Sequence, residues 1–275
     1  KKGTIKSEIE IFLTEKRSLK NFIAKGTVKG LEADVFSNLN LTKVNLGFFA
    51  DKNDILIKNI FGLLGDIKIS DGDIKLNLDD GIKLHSNFNS EFDFNENLLK
   101  KYTKIFNKFN LISHVRKIKA DLNNSIFVEL DNTYKIKDYN YNISGKLDNS
   151  KIEFKKIAKN DFIREELKEI YLSELQIKTN FNSKGFNLKG DGKYSFNEKD
   201  YYKINIENNI IDDKTNLSLN FDYGNSLELA LINYKKPKNS IANIILFLSK
   251  SKKKIKIKKF SYVENKNSIN INDLI

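Results

Sequence analysis

Apolar and polar residues alternate along most of the chain with a period of two. The stretch GDIKISDGDIKLNLDDGIKL at residues 65–84 shows this clearly, and two Asp-Gly pairs, Asp71-Gly72 and Asp80-Gly81, interrupt it. Similar stretches recur further along the chain, at residues 5–13, 39–48, 139–147, 186–196, 202–206 and 217–231. Alternation between short breaks containing Gly, Asn or Asp is typical of antiparallel strands with one face in water. The pattern therefore predicts a mostly β protein, an antiparallel meander of about a dozen or more strands, with turns at both Asp-Gly pairs.

Three stretches follow a helical period instead. Residues 93–109 place apolar side chains on one helical stripe, and Asp93 and Glu96 have the spacing of a capping box. Residues 160–172 and 239–250 show similar spacing after an Asn, Asp or Ser suited to capping. We expect about three short amphipathic helices whose apolar stripes pack on the apolar face of the sheet. The chain has one proline and no Pro/Ser-rich linker, so we predict a single continuous body over residues 1–275.

Composition limits the class of protein. The chain is 40% hydrophobic and 31% charged, enough for a large core, and it holds neither Met nor Cys. The absence of Cys excludes disulfides, zinc–thiolate clusters and thiol chemistry within these residues. Because the sequence starts with Lys1-Lys2, we expect it to be a segment of a longer chain, with any signal or anchor outside it. Its longest apolar candidate, residues 241–248, falls short of the roughly 20 residues that a spanning helix needs.

The charge balance is strongly basic, at +12, but it rests almost wholly on Lys, because Arg occurs only at Arg17, Arg116 and Arg164. Nucleic-acid sites more often use Arg forks and stacked aromatic rings, so we expect no nucleic-acid partner. We expect instead a weak attraction to anionic membrane surfaces. The basic stretch KSKKKIKIKK at residues 250–259 is compatible with a membrane-surface anchor, but its alternation favours an exposed strand with a lysine face.

No motif for catalysis or metal binding is found. His85 and His114 have no Ser, Cys or carboxylate at motif spacing, and we expect solvated histidines. The stretch DGDIKLNLDD superficially resembles a calcium loop, but Lys75 occupies its third ligand position and the terminal Glu is missing. The prediction is a protein that is not an enzyme and that has no catalytic residue, no bound metal and no cofactor.

Residues 48–88 resemble the AsmA-like family of Gram-negative envelope proteins, which includes the large TamB- and YhdP-type members. The family's repeating phrase is a strand of apolar alternation, a small-residue turn and an xGxIxLxxxxGIxLxxxF run. In this sequence the phrase falls on Gly72, Ile74, Leu76, Gly81, Ile82, Leu84 and Phe88. The stretches NISGKL at residues 142–147 and LKGDGKYSF at residues 188–196 are similar to its Gly-centred part. The distinctive phrase covers only about 40 residues.

The resemblance implies an elongated, twisted sheet folded into a groove with an apolar inner wall and a polar outer wall. It implies a non-catalytic periplasmic protein, anchored in the inner membrane by a segment outside this sequence, that carries phospholipid towards the outer membrane. Its expected partners are phospholipid or another acyl-chain lipid and envelope proteins. The candidate groove residues are the alternating apolar positions of two stretches: Ile67, Ile69, Ile74, Leu76, Leu78, Ile82, Leu84, Leu217, Leu219, Phe221, Leu227 and Leu229.

Alternation alone leaves a second interpretation open. The chain could be a β-sandwich or β-solenoid scaffold of the envelope whose apolar face is a closed core without a lipid ligand. A closed core leaves no apolar slot, whereas a groove leaves a long apolar surface open to solvent or ligand.

Overall fold

The structure, a computed structural model, describes residues 2–36, 39–79, 81–106, 114–154, 168–229, 233–251 and 254–274. Strands dominate these residues. The first nine strands are β1 Lys2–Leu13, β2 Leu19–Phe36, β3 Leu39–Ala50, β4 Asp54–Leu64, β5 Ile67–Asn77, β6 Ile82–Asn95, β7 Val115–Leu130, β8 Ile136–Glu153 and β9 Glu169–Asn182. The later strands are β10 Gly185–Ser195, β11 Tyr202–Ile211, β12 Lys214–Tyr223, β13 Leu227–Leu229, β14 Tyr234–Lys236, β15 Ala242–Ser251, β16 Lys254–Glu264 and β17 Asn267–Leu274. Helix α1, Glu96–Phe106, lies between β6 and β7.

Fifteen of the described strands form one antiparallel sheet that is not closed. Their order follows the chain from β1 to β12 and then continues through β15, β16 and β17, so that β1 and β17 are the end strands. Strands β13 and β14 pair only with each other, as a separate hairpin. The predicted mostly-β antiparallel meander is confirmed. Strand β16 also confirms the strand predicted in the lysine-rich stretch.

The chain divides into two compact units. Unit 1 contains Lys1–Phe92, Ala120–Gly145 and Asn180–Ser183. Unit 2 contains Asp93–Lys119, Lys146–Thr179 and Lys184–Ile275. The described residues of unit 1 form strands and turns without a helix, while α1 and the β13–β14 hairpin belong to unit 2.

A row of β-bulges crosses four neighbouring strands of unit 1. Gly30, Lys43, Asn59 and Asp71 have φ angles of 61°, 55°, 54° and 50°, and the register of each strand pair shifts beside them. A bulge adds one residue to a strand, bends it and increases its local twist. The predicted turn at Asp71-Gly72 is therefore wrong: β5 runs through both residues, and the alternation changes phase there because of the bulge. The second predicted turn, near Gly81, does lie between β5 and β6.

The bend leaves little space above Gly62. A Cβ atom on Gly62 would lie 2.6 Å from Val44 Cγ2, whereas one on Gly47 would meet nothing closer than 3.8 Å. We expect Gly62→Ala to lower the free energy of unfolding by about 1–3 kcal/mol, because Val44 is buried and has to shift. Gly47→Ala is the matched control and should change stability by less than about 0.5 kcal/mol in urea titrations. Equal effects of the two substitutions would contradict the close approach.

Helix α1 confirms the first of the three predicted helices, although its cap differs from the predicted one. The Asn95 side-chain oxygen accepts a hydrogen bond from the Leu98 N–H at 3.1 Å, so Asn95 is the N-cap and the predicted Asp93–Glu96 capping box is wrong. Glu96 instead pairs with Lys100 at 3.0 Å, one turn along the helix. The apolar stripe is buried through Leu99 and Tyr102, and the Tyr102 ring stacks on Phe94 with centroids 5.0 Å apart.

The third predicted helix is wrong, because residues 242–251 form strand β15 between β12 and β16. Its continuous run of apolar residues fits the period of a helix as well as that of a strand. In the strand, Ile244 and Leu246 lie on one face and Ile245 and Phe247 on the other. Backbone pairing on both sides favours the strand. The second predicted helix lies largely outside the described residues, and its last part, from Glu169, is strand β9.

Unit 2 contains two apolar clusters around buried tyrosines. Tyr194 packs with Leu172, Leu175 and Ile204, and its hydroxyl donates a hydrogen bond to the Asp222 carbonyl at 2.7 Å. The second cluster surrounds Tyr262 and contains Tyr223, Leu227, Ala242 and Ile244.

These tyrosines give stability a dependence on alkaline pH. Burial raises the pKa of Tyr194, and it raises the pKa of Tyr262 to about 12. An unfolded tyrosine ionises near pH 10 (about 10 in model peptides), so above it the unfolded chain releases protons that the folded chain retains. We therefore expect the contribution of these tyrosines to the free energy of unfolding to be constant below about pH 10 and to fall as the pH rises towards about 12. Urea titrations across this range test it: Tyr262→Phe should flatten the slope, and Tyr134→Phe, at a 76% exposed residue, should not.

Candidate functional site: the apolar face of the sheet

Strands β4, β5 and β6 bring most of the first predicted group together. Residues directly opposite each other in antiparallel strands point to the same face. Four opposite pairs contain residues of this group: Leu64 and Ile67, Ile57 and Ile74, Ile55 and Leu76, and Leu76 and Leu84. Ile82 lies two residues from Leu84 and Ile69 two residues from Ile67, so both share this face. Leu78 lies beyond the end of β5 and is 37% exposed, and its N–H donates to the Asn53 carbonyl.

The Asp71 bulge is what keeps this face continuous. Ile67 and Ile69 are at odd positions and Ile74 and Leu76 at even ones, which a regular strand would place on opposite faces. The one extra residue in the bulge brings the odd-numbered and the even-numbered isoleucines onto the same face. Lys68 and Lys75 lie on the other face and are exposed, and Lys68 pairs with Glu91 at 2.9 Å. This contact raises the pKa of Lys68.

The same apolar face continues through β3, β2 and β1. The register aligns Phe48 with Ile57 on one side and with Gly26 on the other. On β1, Ile5, Ile9 and Ile11 are opposite Val28, Ala24 and Phe22. From β3 to β6 these side chains are mostly half-buried, but the three isoleucines of β1 are 60–66% exposed. The described part of unit 1 contains neither a helix nor a second sheet, and along this face its strands pack against their own neighbours.

A buried polar cluster interrupts the apolar face where β6, β7 and β8 meet. Asn124 donates to the Ser90 hydroxyl at 2.9 Å, and the Tyr141 hydroxyl donates to the Asn124 side-chain oxygen at 2.8 Å. Burial raises the pKa of Tyr141. Next to it lies an apolar cleft of about 300 Å³, partly lined by Ile126, Tyr139, Tyr141 and Phe181. The sequence analysis missed this cluster; its only signal was Ser and Asn at positions where the alternation requires apolar residues.

The second predicted group is divided between two places in unit 2. Leu217, Leu219 and Phe221 share one face of β12, where they are opposite Leu248, Leu246 and Ile244 of β15. Leu227 and Leu229 belong to the β13–β14 hairpin, which pairs with neither of those strands. Leu227 is nonetheless buried in the apolar cluster around Tyr262, against which Phe221 also packs. The hairpin therefore covers part of the apolar residues of unit 2.

Two buried charged residues hold this hairpin. The Lys236 ammonium donates to the carbonyls of Asn225, Pro237 and Ser240, at 2.9, 3.0 and 2.5 Å. The Glu264 carboxylate accepts hydrogen bonds from the hydroxyls of Tyr234, Tyr262 and Ser240. Such hydrogen bonds satisfy buried charges that would otherwise be costly. No feature of the sequence distinguished these two residues from the many exposed lysines and glutamates.

Ionisable groups on the described residues do not form a metal site, since no three His, Asp or Glu side chains come together there. His85 is exposed, and its ring lies 4.8 Å from that of Phe127. Asp71 accepts a hydrogen bond from Asn89 at 3.0 Å. What the arrangement offers chemically is an extended surface of alkyl and aromatic groups, which suits apolar chains rather than bond-making chemistry.

Comparisons of the chain with protein-family models, with curated proteins and with solved structures each find no match. Within the described part of the chain, no helix combines the length and the apolar character required to cross a membrane.

Proposed function

We propose that this chain is a periplasmic AsmA-like segment whose apolar face binds or conducts phospholipid between the inner and the outer membrane without catalysis. The observation that carries the proposal is the partly exposed apolar face of unit 1. A closed core would bury residues such as Phe48, Ile57 and Leu76, yet they remain partly accessible to solvent. An inner-membrane anchor outside these residues and envelope protein partners complete the proposal.

The energetics of such a surface favour acyl chains. Each CH₂ moved from water into an apolar environment contributes about 0.8 kcal/mol. Along β3 to β6 the apolar positions follow one another without a charged side chain on the same face, so a chain that slides keeps this gain from one position to the next. On the opposite face, Lys68 and Lys75 are exposed to water.

Photo-crosslinking tests this proposal. The purified chain is mixed with vesicles of phosphatidylethanolamine and phosphatidylglycerol that carry a diazirine on one acyl chain, irradiated, digested and analysed by mass spectrometry. We expect adducts on the apolar face of β3 to β6, competed by unlabelled phospholipid. Denatured serum albumin, treated with the same vesicles, is the control. If adducts are no more frequent than on this control, or are spread equally over both faces of the sheet, the closed scaffold is favoured instead.

A further inference from the structure

A polar trough lies on the other face of the sheet in unit 2. Its volume is about 480 Å³, within the range of roughly 300–1,000 Å³ typical of small-ligand sites. Strands β10, β11, β12, β15 and β16 contribute to it. Most of its lining residues have amide, hydroxyl or charged side chains, and the apolar ones are Leu217, Leu248 and Phe247.

Strand register arranges these side chains in two rows. In the first row Asn187 is opposite Asn209, which is opposite Asn216. The second row crosses the same strands two residues away and continues further: Lys189, Glu207, Ser218, Phe247 and Lys259. Opposite side chains in such rows are about 5 Å apart, and the rows are separated by roughly 7 Å along the strands. The trough therefore presents donors and acceptors at regular spacing.

The charges of the trough are unevenly distributed. Lys189 and Glu207 form a pair at 3.1 Å near one end. Near the other end, Lys258 donates to the Asn216 side-chain oxygen at 3.4 Å, and the Lys259 ammonium lies 5.9 Å from the centre of the Phe247 ring. The lining contains two lysines, Lys189 and Lys258, and one glutamate, Glu207, so its net charge is positive, and Lys259 lies beside Phe247. Phe247 is 38% exposed, so its ring is accessible to a ligand.

We propose that this trough binds an oligosaccharide that carries carboxylate groups. Amide side chains both donate and accept, which matches the hydroxyl groups of a sugar chain. The exposed Phe247 ring offers an apolar surface for the C–H groups of one sugar ring, and Lys258 and Lys259 can pair with its carboxylates. Single-stranded nucleic acid fits less well, because it requires aromatic rings for successive bases and the trough lining has one. Its polar lining on β12, Asn216 and Ser218, lies on the face opposite Leu219 and Phe221, while Leu217 and Leu248 also line the trough.

Titration of the whole chain with a hexasaccharide of alternating glucuronic acid and N-acetylglucosamine tests the assignment by calorimetry and by the side-chain amide signals in NMR. We expect saturable binding that shifts the amide signals of Asn209 and Asn216. Phe247→Ala and Asn209→Ala should each lower the affinity by roughly tenfold. Binding should weaken as salt rises, because the carboxylates pair with exposed lysines.

Matched controls separate a site from general surface effects. Phe61→Ala removes another exposed phenylalanine, in unit 1, and Asn205→Ala removes an asparagine of β11 outside the trough; neither should change the affinity. Thermal unfolding verifies that all four variants are folded. No saturable binding, an equal affinity for a neutral glucose hexasaccharide, equal losses in the control variants, or tighter binding of hexathymidylate would each overturn the assignment.

Discussion

Leu76→Asp is expected to abolish phospholipid crosslinking while leaving the chain folded. Leu76 lies between Ile55 and Leu84 on the apolar face, so a carboxylate there interrupts the surface along which an acyl chain would bind. Leu76 is only half-buried, so the carboxylate reaches water, and we expect the free energy of unfolding to fall by less than about 2 kcal/mol. Photo-crosslinking and urea titration of the same preparation measure both effects.

The neighbouring residue supplies the control. Lys75→Asp introduces the same carboxylate on the opposite, exposed face of β5 and also reverses a charge. It should leave crosslinking unchanged. If Leu76→Asp unfolds the chain, the apolar face is a closed core, because an unpaired buried charge costs several kcal/mol (about 3–5). If it folds and still crosslinks as the unmodified chain does, the apolar face is not where lipid binds.

The largest loss of stability is expected for Lys236→Ala. Lys236 is 2% exposed, and its removal leaves three backbone carbonyls without the ammonium that they share. The lost hydrogen bonds and the cavity together predict a loss of about 3 kcal/mol or more in the free energy of unfolding. Urea titration measures the loss.

Lys235→Ala is the matched control for that substitution. Lys235 is adjacent in β14, its side chain is 68% exposed, and it pairs with Glu228 at 3.6 Å. Glu228 is only 20% exposed, but Lys235 is largely in water and the contact is long, so loss of the pair should cost no more than about 1 kcal/mol. Lys236→Met, which keeps the apolar stem, should recover part of the lost stability. A cost for Lys236→Ala as small as that for Lys235→Ala would show that the ammonium does not hold the hairpin.

The strands could be predicted from the sequence because alternation is strong wherever only one face is apolar. This holds for β6, whose buried residues are all at even-numbered positions and whose exposed residues are all at odd-numbered positions. The same logic failed at Ile244–Leu248, where apolar residues fill both faces of β15 and both periods fit equally well. Pairing with β12 and β16 makes this segment a strand, and the local sequence pattern carries no information about that pairing.

The candidate site was predicted best where register follows from neighbouring strands, as for Ile74 and Leu76. It was predicted poorly where the chain leaves the meander. Leu227 and Leu229 continue the alternation of β12 in sequence, but the hairpin takes them to a separate sheet. Lys236 and Glu264 depend on partners up to 30 residues away, so their burial is a property of the folded chain alone.

In unit 1 the row of bulges makes the curvature of the sheet independent of which side chains lie on its apolar face. If Asp71 were deleted, Gly72 would still be opposite Ile60 and Ile69 opposite Gly62, so every wall residue would keep its face while the strand lost a bend. Deleting Asn59 from β4 as well would give an uninterrupted ladder with the same pairs. Gains and losses of single residues at these positions therefore allow evolution to change the curvature of the sheet without altering the chemistry of its apolar surface.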